Sequence, residues 1–556
     1  MASTTPPKGL RVQAAGLLKP STPDGWRLAV LCFAALTTVP LLVVLGSLAA
    51  PAEDVWDHLL HYVLPNLLVN TVWLVFGVGL LTAILGVGLA WLTAVCEFPG
   101  RRLFSWALLL PLAIPAYVTG FVSIGLLEYT GPLQTWLRTV LGTQLGWFPP
   151  IRSTGGVIVV MSLALYPYVY LLTRNAFLTQ GKRALEAAQT LGHGPWGGFF
   201  RVALPMARPW IAGGVALVLM ETLADFGTVA AFNYDTFTTA IYKTWFSLFS
   251  LTAASQLASL LIMLAFVLLL IEQLSRQRMR FTPSGKTGQG HKPIVLTGGR
   301  AWLASGAAGL VLTAAFIVPL GQLLIWCQDI LVADLDSRYL GYLLRSLLLG
   351  AMAALLVTFS ALIISYANRR HSDLWMRGYV RLATLGYAVP GSVLAVGVFA
   401  PIAWLDNQII ASAKQWFDVE IGTLLQGTLL VMLASLLVRF MAVGYNSVDS
   451  AMQRVTRSVD EASLSLGVGA FGLLRRVHLP MLRGGLMTAA ILVFVDVMKE
   501  MPITLMTRPF GWDTLSVRIF ELTSEGQWER AALPAVALVL IGLVPIILLI
   551  RHSETP

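Results

Sequence analysis

Residues 185–209 read LEAAQTLGHGPWGGFFRVALPMARP, and residues 460–484 read DEASLSLGVGAFGLLRRVHLPMLRG. The two segments align without a gap when position 185 is placed opposite position 460. Identical residues at paired positions include Glu186 with Glu461, Gly192 with Gly467, Gly194 with Gly469, Arg201 with Arg476, and Pro205 with Pro480. An internal repeat therefore governs the architecture, and the rest of the chain is interpreted around it.

The same offset extends far beyond these two segments. Pro115 pairs with Pro390, and each proline is expected inside a membrane span. The chain is therefore predicted to consist of two parallel halves, 1–280 and 301–556, joined by a polar cytoplasmic linker at 281–300. Parallel repeats in a transporter are related by a pseudo-two-fold axis along the membrane normal, which places a pathway at the interface between the halves.

The composition is that of a polytopic membrane protein. Of 556 residues, 56% are hydrophobic and only 12% are charged, whereas soluble domains have about 45–50% apolar and about 25% charged residues. Apolar stretches long enough to cross a bilayer recur about twelve times, six in each half. They lie near 28–49, 66–94, 103–126, 155–173, 209–231 and 252–273, and near 302–326, 342–366, 382–404, 422–438, 484–507 and 530–550. The predicted fold is all-α.

The distribution of positive charge predicts the orientation. The chain carries 38 Lys and Arg residues and a net charge of +10, and these residues are concentrated in alternate loops when the N-terminus is placed inside. Because cytoplasmic loops are the ones rich in Lys and Arg, both termini are predicted to be cytoplasmic. No basic stripe interleaved with aromatic residues is evident, so nucleic acid is not expected as a partner.

The repeated segments fall in cytoplasmic loops and share a simple chemistry. Glu186-Ala187-Ala188 can begin a short helix, and Gly192 can end it because glycine adopts positive φ at little cost. Leu204-Pro205 then introduces the next span, since proline is well placed near a helix start. Each half is thus predicted to project a compact helical loop, at about 185–208 and 460–483. His193 and His478 in these loops are interpreted as surface residues.

These loops resemble the docking loop of binding-protein-dependent ABC importer permeases of type I. That resemblance implies a short coupling helix that sits in a groove of a separate ATPase subunit. Residue by residue it extends to Glu186, Ala187, Ala188, Gly192, Leu204 and Pro205, and in the second half to Glu461, Ala462, Gly467, Leu479 and Pro480. Ser463 replaces the second alanine of the motif by another small residue.

The resemblance also implies the partners and their cofactors. Two ATPase copies and a periplasmic substrate-binding protein are expected to act with this chain. The chain itself has no GxxxxGK[ST] motif for phosphate binding, so ATP and Mg are assigned to the partner ATPase. No catalytic residue, bound cofactor or stable metal site is predicted here.

Three segments further resemble the ferric-iron branch of this family. They read PLAIPAYVTG from 111, LADFGTVAAFN from 223 and KEMPITLMTRPFGWDTLSVRIFE from 499. Thiamine and polyamine permeases are close alternatives for the substrate. A secondary transporter is the main rival class, although it would have no need for paired docking loops, and a membrane enzyme is the other.

Carboxylates within predicted spans are candidates for the substrate pathway, because ionisable residues in the membrane are costly and usually functional. They are Glu221, Asp225, Asp496 and Glu500. The acids form two pairs spaced i, i+4 on equivalent helices, so each pair lies on one helix face. Two alternatives stay open: ion pairs with Lys499 or Arg345, or capping of the backbone at helix breaks.

Overall fold

The computed structural model describes residues 25–50, 54–142, 146–181, 194–277, 294–371 and 373–554. Almost all of this part of the chain is helical, which confirms the predicted all-α class. The described β-structure is one parallel pair of two-residue strands, β1 (Cys96–Glu97) and β2 (Ile294–Val295).

Before residue 278 the helices follow one another in this order: α1 Gly25–Gly46, α2 Asp54–His58, α3 Leu64–Val95, α4 Arg101–Ala107, α5 Ala116–Leu127, α6 Pro132–Leu141, α7 Thr154–Ala176, α8 Pro195–Gly198, α9 Leu204–Ala224, α10 Gly227–Ala231, α11 Phe237–Phe246 and α12 Leu251–Gln277. Short 3-10 turns lie at Ser47–Ala49 and Leu110–Ala113, and single π-helical turns at Leu59–Val63, Phe177–Gly181 and Phe199–Ala203.

After residue 298 the helices are α13 Gly299–Leu312, α14 Val318–Asp334, α15 Ser337–Arg370, α16 Leu374–Ala383, α17 Gly391–Phe417, α18 Leu429–Met452, α19 Arg457–Ser465, α20 Ala470–Leu473, α21 Leu479–Met481, α22 Arg483–Lys499, α23 Pro502–Thr507, α24 Leu515–Ser524 and α25 Trp528–Glu554. A 3-10 turn lies at Leu385–Ala388, and π-helical turns lie at Thr313–Ile317 and Leu474–His478.

Helices that can cross a membrane account for most of the described chain. Ten are long and apolar enough, and the number rises to 12 if each of two bent helix pairs forms one span. The bent pairs are Arg101–Ala113 with Ala116–Leu141, at 90°, and Phe471–Met481 with Arg483–Lys499, at 74°. The prediction of about twelve spans is confirmed for this part of the chain.

The chain divides into two compact units. The larger unit comprises Ala50–Leu344 with Asp513–Pro556, and the smaller comprises Met1–Ala49 with Arg345–Trp512. In the larger unit α3, α7 and α9 share a core of buried aliphatic side chains: Leu74, Val78, Met161, Val169 and Val218. The helices approach closely where a Cβ on Gly86 would lie 2.6 Å from the Cβ of Val169, because small residues let helix backbones meet in a membrane.

The smaller unit has a corresponding core between α15, α18 and α22. Its buried members include Ala361, Leu362, Val448, Met452 and Ala489. A Cβ on Gly444 would lie 2.7 Å from Val357 Cγ1, so glycine again marks a close helix crossing. This core supports the ends of α15 and α18 that lie next to the second predicted docking loop.

The two compact units do not coincide with the two halves of the sequence. α1 belongs to the first half but packs within the smaller unit, where Thr37 donates to the Ala383 carbonyl at 3.3 Å and Arg27 pairs with Asp373 at 3.1 Å. α14 belongs to the second half but lies in the larger unit together with α25. The first span of each half is therefore exchanged. The boundaries 1–280 and 301–556 stay a prediction about the repeat, and residues 281–293 of the linker lie outside the described residues.

The repeat is visible in matching helix breaks. Pro115 and Pro390 precede α5 and α17 with nearly equal dihedrals, φ −56° and ψ 143° against φ −55° and ψ 144°. Each proline marks the point at which a helix begins: Pro115 lies at the bend of the pair Arg101–Ala113 with Ala116–Leu141, whereas Pro390 lies just before the span Gly391–Phe417 and not inside it as expected. Proline lacks the N–H of a continuing helix and holds the residue before it in extended conformation, as observed at Ile114 and Val389.

Candidate docking loops and intramembrane carboxylates

The second docking loop, residues 460–483, consists of a helix, a tight turn and a second helical segment. α19 leads into Gly467, whose φ is +76°. The Val468 N–H donates to the Ser463 carbonyl at 3.1 Å, which closes the end of α19 around the glycine. Apart from its chain neighbours, no described residue has an atom within 4 Å of a Cβ placed on Gly467. The backbone conformation, and not crowding, therefore favours glycine here.

The residues of the docking motif in this loop differ in exposure. Glu461 and Ala462 are exposed, whereas Ser463 is buried. Large apolar side chains on the same loop are exposed as well, with Leu466 at 83% and Phe471 at 68%. Exposed apolar groups next to a carboxylate are typical of a surface that a partner covers. Leu466 and Phe471 were not among the sequence-predicted residues, because the motif does not include them.

Only part of the first docking loop can be compared. Glu186, Ala187, Ala188 and Gly192 lie outside the described residues. Leu204 and Pro205 begin α9, with the proline in its first turn. Leu479 and Pro480 begin α21 in the same way. Both loops therefore enter the next helix through Leu-Pro, but α9 continues unbroken to Ala224, whereas α21 ends at Met481 and α22 begins after it at Arg483.

A polar network, here called the latch, holds the second docking loop to the membrane helices. It consists of Arg369, Asp460 and His478. Arg369 Nε lies 2.7 Å from Asp460 Oδ2, and His478 Nε2 lies 2.9 Å from Asp460 Oδ1. The Arg369 guanidinium also donates to the carbonyls of Met452, Val455 and Thr456, at 2.8, 2.8 and 3.1 Å. The Arg369 cation thus binds carbonyls at the end of α18 and in the turn that follows it, where the negative end of the helix dipole favours a positive charge.

His478 is fully buried, so its interpretation as a surface residue was wrong. Its Nδ1 lies 3.1 Å from Met452 Sδ, and its ring meets the edge of the Tyr366 ring with centroids 5.6 Å apart. Burial lowers the pKa of His478, while the Asp460 carboxylate opposes that shift. Because an ionised carboxylate can only accept hydrogen bonds, His478 donates from Nε2 to Asp460 Oδ1. No sequence pattern indicated this, because burial of a loop histidine depends on tertiary packing.

Asp225 caps a helix break in the larger unit. α9 ends at Ala224, and Asp225 has φ −65° and ψ 129°. Its Oδ1 accepts from the Thr228 and Val229 N–H groups at 3.0 and 3.2 Å, and its Oδ2 accepts from Thr228 Oγ1 at 2.9 Å. The carboxylate therefore satisfies the free N–H groups at the start of α10, as an N-terminal cap does.

Glu500 caps the equivalent break in the smaller unit. α22 ends at Lys499, and Glu500 has φ −70° and ψ 120°. Its Oε1 accepts from the Ile503 N–H at 3.2 Å, and its Oε2 lies 3.2 Å from Arg439 Nε. Arg439 in turn donates from Nη1 to the Val389 carbonyl at 2.9 Å. This buried pair thus ties the break after α22 to the break before α17.

These contacts match the capping alternative for Asp225 and Glu500. Glu221 and Asp496, one turn earlier on α9 and α22, are partly exposed. Among the described residues there is no group of three or more His, Cys, Asp or Glu that could hold a metal ion.

The decisive observation about identity comes from comparison with known families. The profile described as the binding-protein-dependent transport system inner membrane component matches residues 83–281 and again residues 360–553. The two matches together cover more than half of the chain. The chain belongs to this family. It is a multi-pass inner membrane protein and the permease component of a binding-protein-dependent ABC importer, which confirms the resemblance seen in the sequence.

Similar proteins of this permease family cover one or both halves. Fe(3+)-transport system permease protein FbpB 2 of Haemophilus influenzae is 27% identical over 493 residues, 88% of this chain and 90% of its own length. Putative ferric transport system permease protein FbpB 1 of the same species is 24% identical over 82% of this chain and 72% of its own length. Molybdenum transport system permease protein ModB of that species is 27% identical over 37% of this chain and 89% of its own length.

One charged residue of the permease escaped sequence reasoning. Arg439 lies within the apolar run SLLVRFMAVG, in α18, and is 9% exposed. The span predicted at 422–438 ends one residue before Arg439, so this arginine was assigned to the following cytoplasmic loop, whereas α18 continues to Met452. The available signal was the cost of an intramembrane charge, which requires a partner. That partner is Glu500.

Proposed function

We propose that this permease translocates ferric iron, released by a periplasmic binding protein, to the cytoplasm by alternating access. The observation that carries the proposal is the second docking loop, in which exposed Glu461 and Ala462 stand on a helix fixed to the ends of two membrane helices. Such a loop suits transmission of force from an ATPase. The iron assignment rests on the similarity to ferric permeases along 88% of the chain.

We further propose that two copies of a separate ATPase dock on this one chain, one at each loop. The repeat at 185–208 and 460–483 supports two equivalent contacts. The ATPase would bind ATP and Mg and hydrolyse the ATP, and this chain would bind no cofactor of its own. The family description supports a substrate-binding protein as the other partner.

The proposed orientation places both termini in the cytoplasm. The alternation of Lys- and Arg-rich loops supports it. A reporter fused after Asp235 is expected to lie outside, and a reporter within 286–292 is expected to lie inside. An outside signal from 286–292 would contradict this topology.

All four intramembrane carboxylates would contribute to the substrate pathway, two of them by facing the substrate and two by shaping the helix breaks. Glu221 and Asp496 would face the substrate, because both are partly exposed, whereas Asp225, although also partly exposed, and Glu500 accept from backbone N–H groups at the breaks. Asp225 and Glu500 would shape the breaks that let those helices end within the membrane. Carboxylate oxygens suit a hard trivalent cation, by extension of the preference of hard divalent ions for oxygen ligands.

The test is uptake of labelled substrates into vesicles containing the permease, the ATPase and the binding protein. Ferric iron, thiamine, a polyamine and molybdate would be compared, each with and without ATP. ATP-dependent accumulation of iron alone is expected. Accumulation of thiamine, polyamine or molybdate in place of iron would overturn the substrate while leaving the importer class intact. Equal uptake without ATP would favour a secondary transporter.

A further inference from the structure

The latch of the second docking loop has no polar equivalent at the corresponding positions of the first half. At the offset of the repeat, Arg369 corresponds to Ala94, Asp460 to Leu185 and His478 to Ala203. Ala94 and Ala203 are buried. None of the side chains at these three positions can donate or accept a hydrogen bond, so the described part of the first loop, 194–208, has no attachment of this kind at these positions.

Aromatic packing occupies the corresponding place in the first half. The ring of Trp91 meets those of Phe177 and Phe199 edge to face, with centroids 5.6 and 4.7 Å apart. These three residues stand at the positions of Tyr366, Met452 and Leu474 in the second half. The same three positions thus contribute in both halves. In the first half all three side chains are aromatic and pack on one another. In the second half two of them, Tyr366 and Met452, contact His478 of the latch.

The two attachments differ in how strictly they fix an angle. Hydrogen bonds weaken steeply when bent, and the planar guanidinium of Arg369 holds several acceptors in one arrangement. It joins the end of α15 to the end of α18 and to α19 of the loop, and His478 adds the entry to α21. Apolar contact is non-directional, and the edge-to-face preference of an aromatic pair is worth only about 0.5–1.5 kcal/mol, so the aromatic contact fixes an angle less strictly than the latch does.

We propose that Arg369, Asp460 and His478 are positioning residues that hold the second docking loop at one angle to the membrane helices, whereas the described part of the first loop, 194–208, pivots on the aromatic contact of Phe199. The two loops then contribute unequally to coupling. The second transmits movement of the ATPase directly to α15, α18 and α22. This inference rests on the proposed function of the loops.

The test replaces two of the three latch residues, Asp460 and His478, by the residues at the corresponding positions of the first half. One variant carries Asp460→Leu with His478→Ala, and a milder one carries Asp460→Asn, which keeps the shape and removes the charge. A rescue variant adds Tyr366→Trp, Met452→Phe and Leu474→Phe to the first, which rebuilds the aromatic attachment. The control is Arg454→Gln, which removes an exposed positive charge near the latch but outside it.

Three quantities are measured for each variant with the ATPase and the binding protein present: recovery of the ATPase on purification, substrate transported per ATP hydrolysed, and hydrogen exchange of the amides in 457–466. The latch variant should retain the ATPase, transport about tenfold less per ATP, a change of about 1.4 kcal/mol, and exchange faster in α19. The rescue variant should recover slow exchange and part of the transport. Arg454→Gln should match the unmodified permease.

Several results would overturn the proposal. Unchanged exchange in α19 after loss of the latch would show that these residues do not position the loop, whatever the transport result. Faster exchange with normal transport per ATP would show that position does not control coupling. If the variant Asp460→Leu with His478→Ala fails to fold, the same three quantities measured on Asp460→Asn test whether the latch positions the loop. If the unmodified permease neither binds the ATPase nor transports, the proposed function fails, while the exchange measurement still tests the latch.

Discussion

The buried pair of Arg439 and Glu500 allows a quantitative test of how the helix break is held. Their side chains are 11% and 6% exposed, and the Nε–Oε2 distance is 3.2 Å. Arg439→Met leaves the Glu500 carboxylate buried without this partner, and breaking such a buried pair costs about 3–5 kcal/mol. Glu500→Gln should cost less, because the amide oxygen can still accept from the Ile503 N–H.

The double variant Arg439→Met with Glu500→Gln removes both charges together. In this variant the buried Val389 carbonyl has still lost its donor, Arg439 Nη1, which lowers the free energy of unfolding by about 1–3 kcal/mol. The double variant should therefore lose less stability than Arg439→Met alone, and clearly less than the sum of the two single variants, as is usual for residues in contact.

Reversible unfolding in mixed detergent micelles, followed by tryptophan fluorescence, measures these differences. Lys414→Ala is a matched control, since it breaks an exposed pair with Glu420 and should change stability little. The reasoning would be refuted if Arg439→Met unfolded like the unmodified permease, or if the losses of the single variants simply added in the double variant.

Three other outcomes are expected. Valine at both Gly192 and Gly467 should abolish co-purification of the ATPase while the protein stays in the membrane, because the left-handed turn after α19 disfavours a β-branched residue; intact complexes would contradict the docking assignment. Glu221→Gln with Asp496→Asn should lower iron uptake and leave unfolding unchanged, and the reverse pattern would make these carboxylates structural. Asp406→Asn should speed exchange of the amides at 424–426, since the Asp406 carboxylate accepts from all three; equal exchange would show that this loop is held by other contacts.

Much of the architecture could be predicted because it depends on local or repeated signals. The spans follow from continuous apolar length, and the two halves follow from an offset that stays constant along the chain. Gly467 adopts positive φ, which the position of a glycine after a short helix suggested. The prolines of the repeat, Pro115 and Pro390, were recognised as equivalent, although helix breaks were not expected there.

The rest could not be predicted, since it depends on which helices meet in space. The exchange of α1 and α14 leaves no mark in a sequence whose spans are all apolar. Asp460 contacts Arg369 and His478, which are separated from it by 91 and 18 positions in the chain. Spacing along one helix could not indicate either contact. The pairing of Glu500 with Arg439 was missed for the same reason.

The central claim is that a single chain offers two docking loops to two ATPase subunits. Native mass spectrometry of the complex purified through this chain measures that stoichiometry directly. The account predicts two ATPase subunits per permease chain, and none when both docking-loop glycines are replaced. A complex with one ATPase subunit per chain, or a complex that persists unchanged in the double glycine variant, would contradict it.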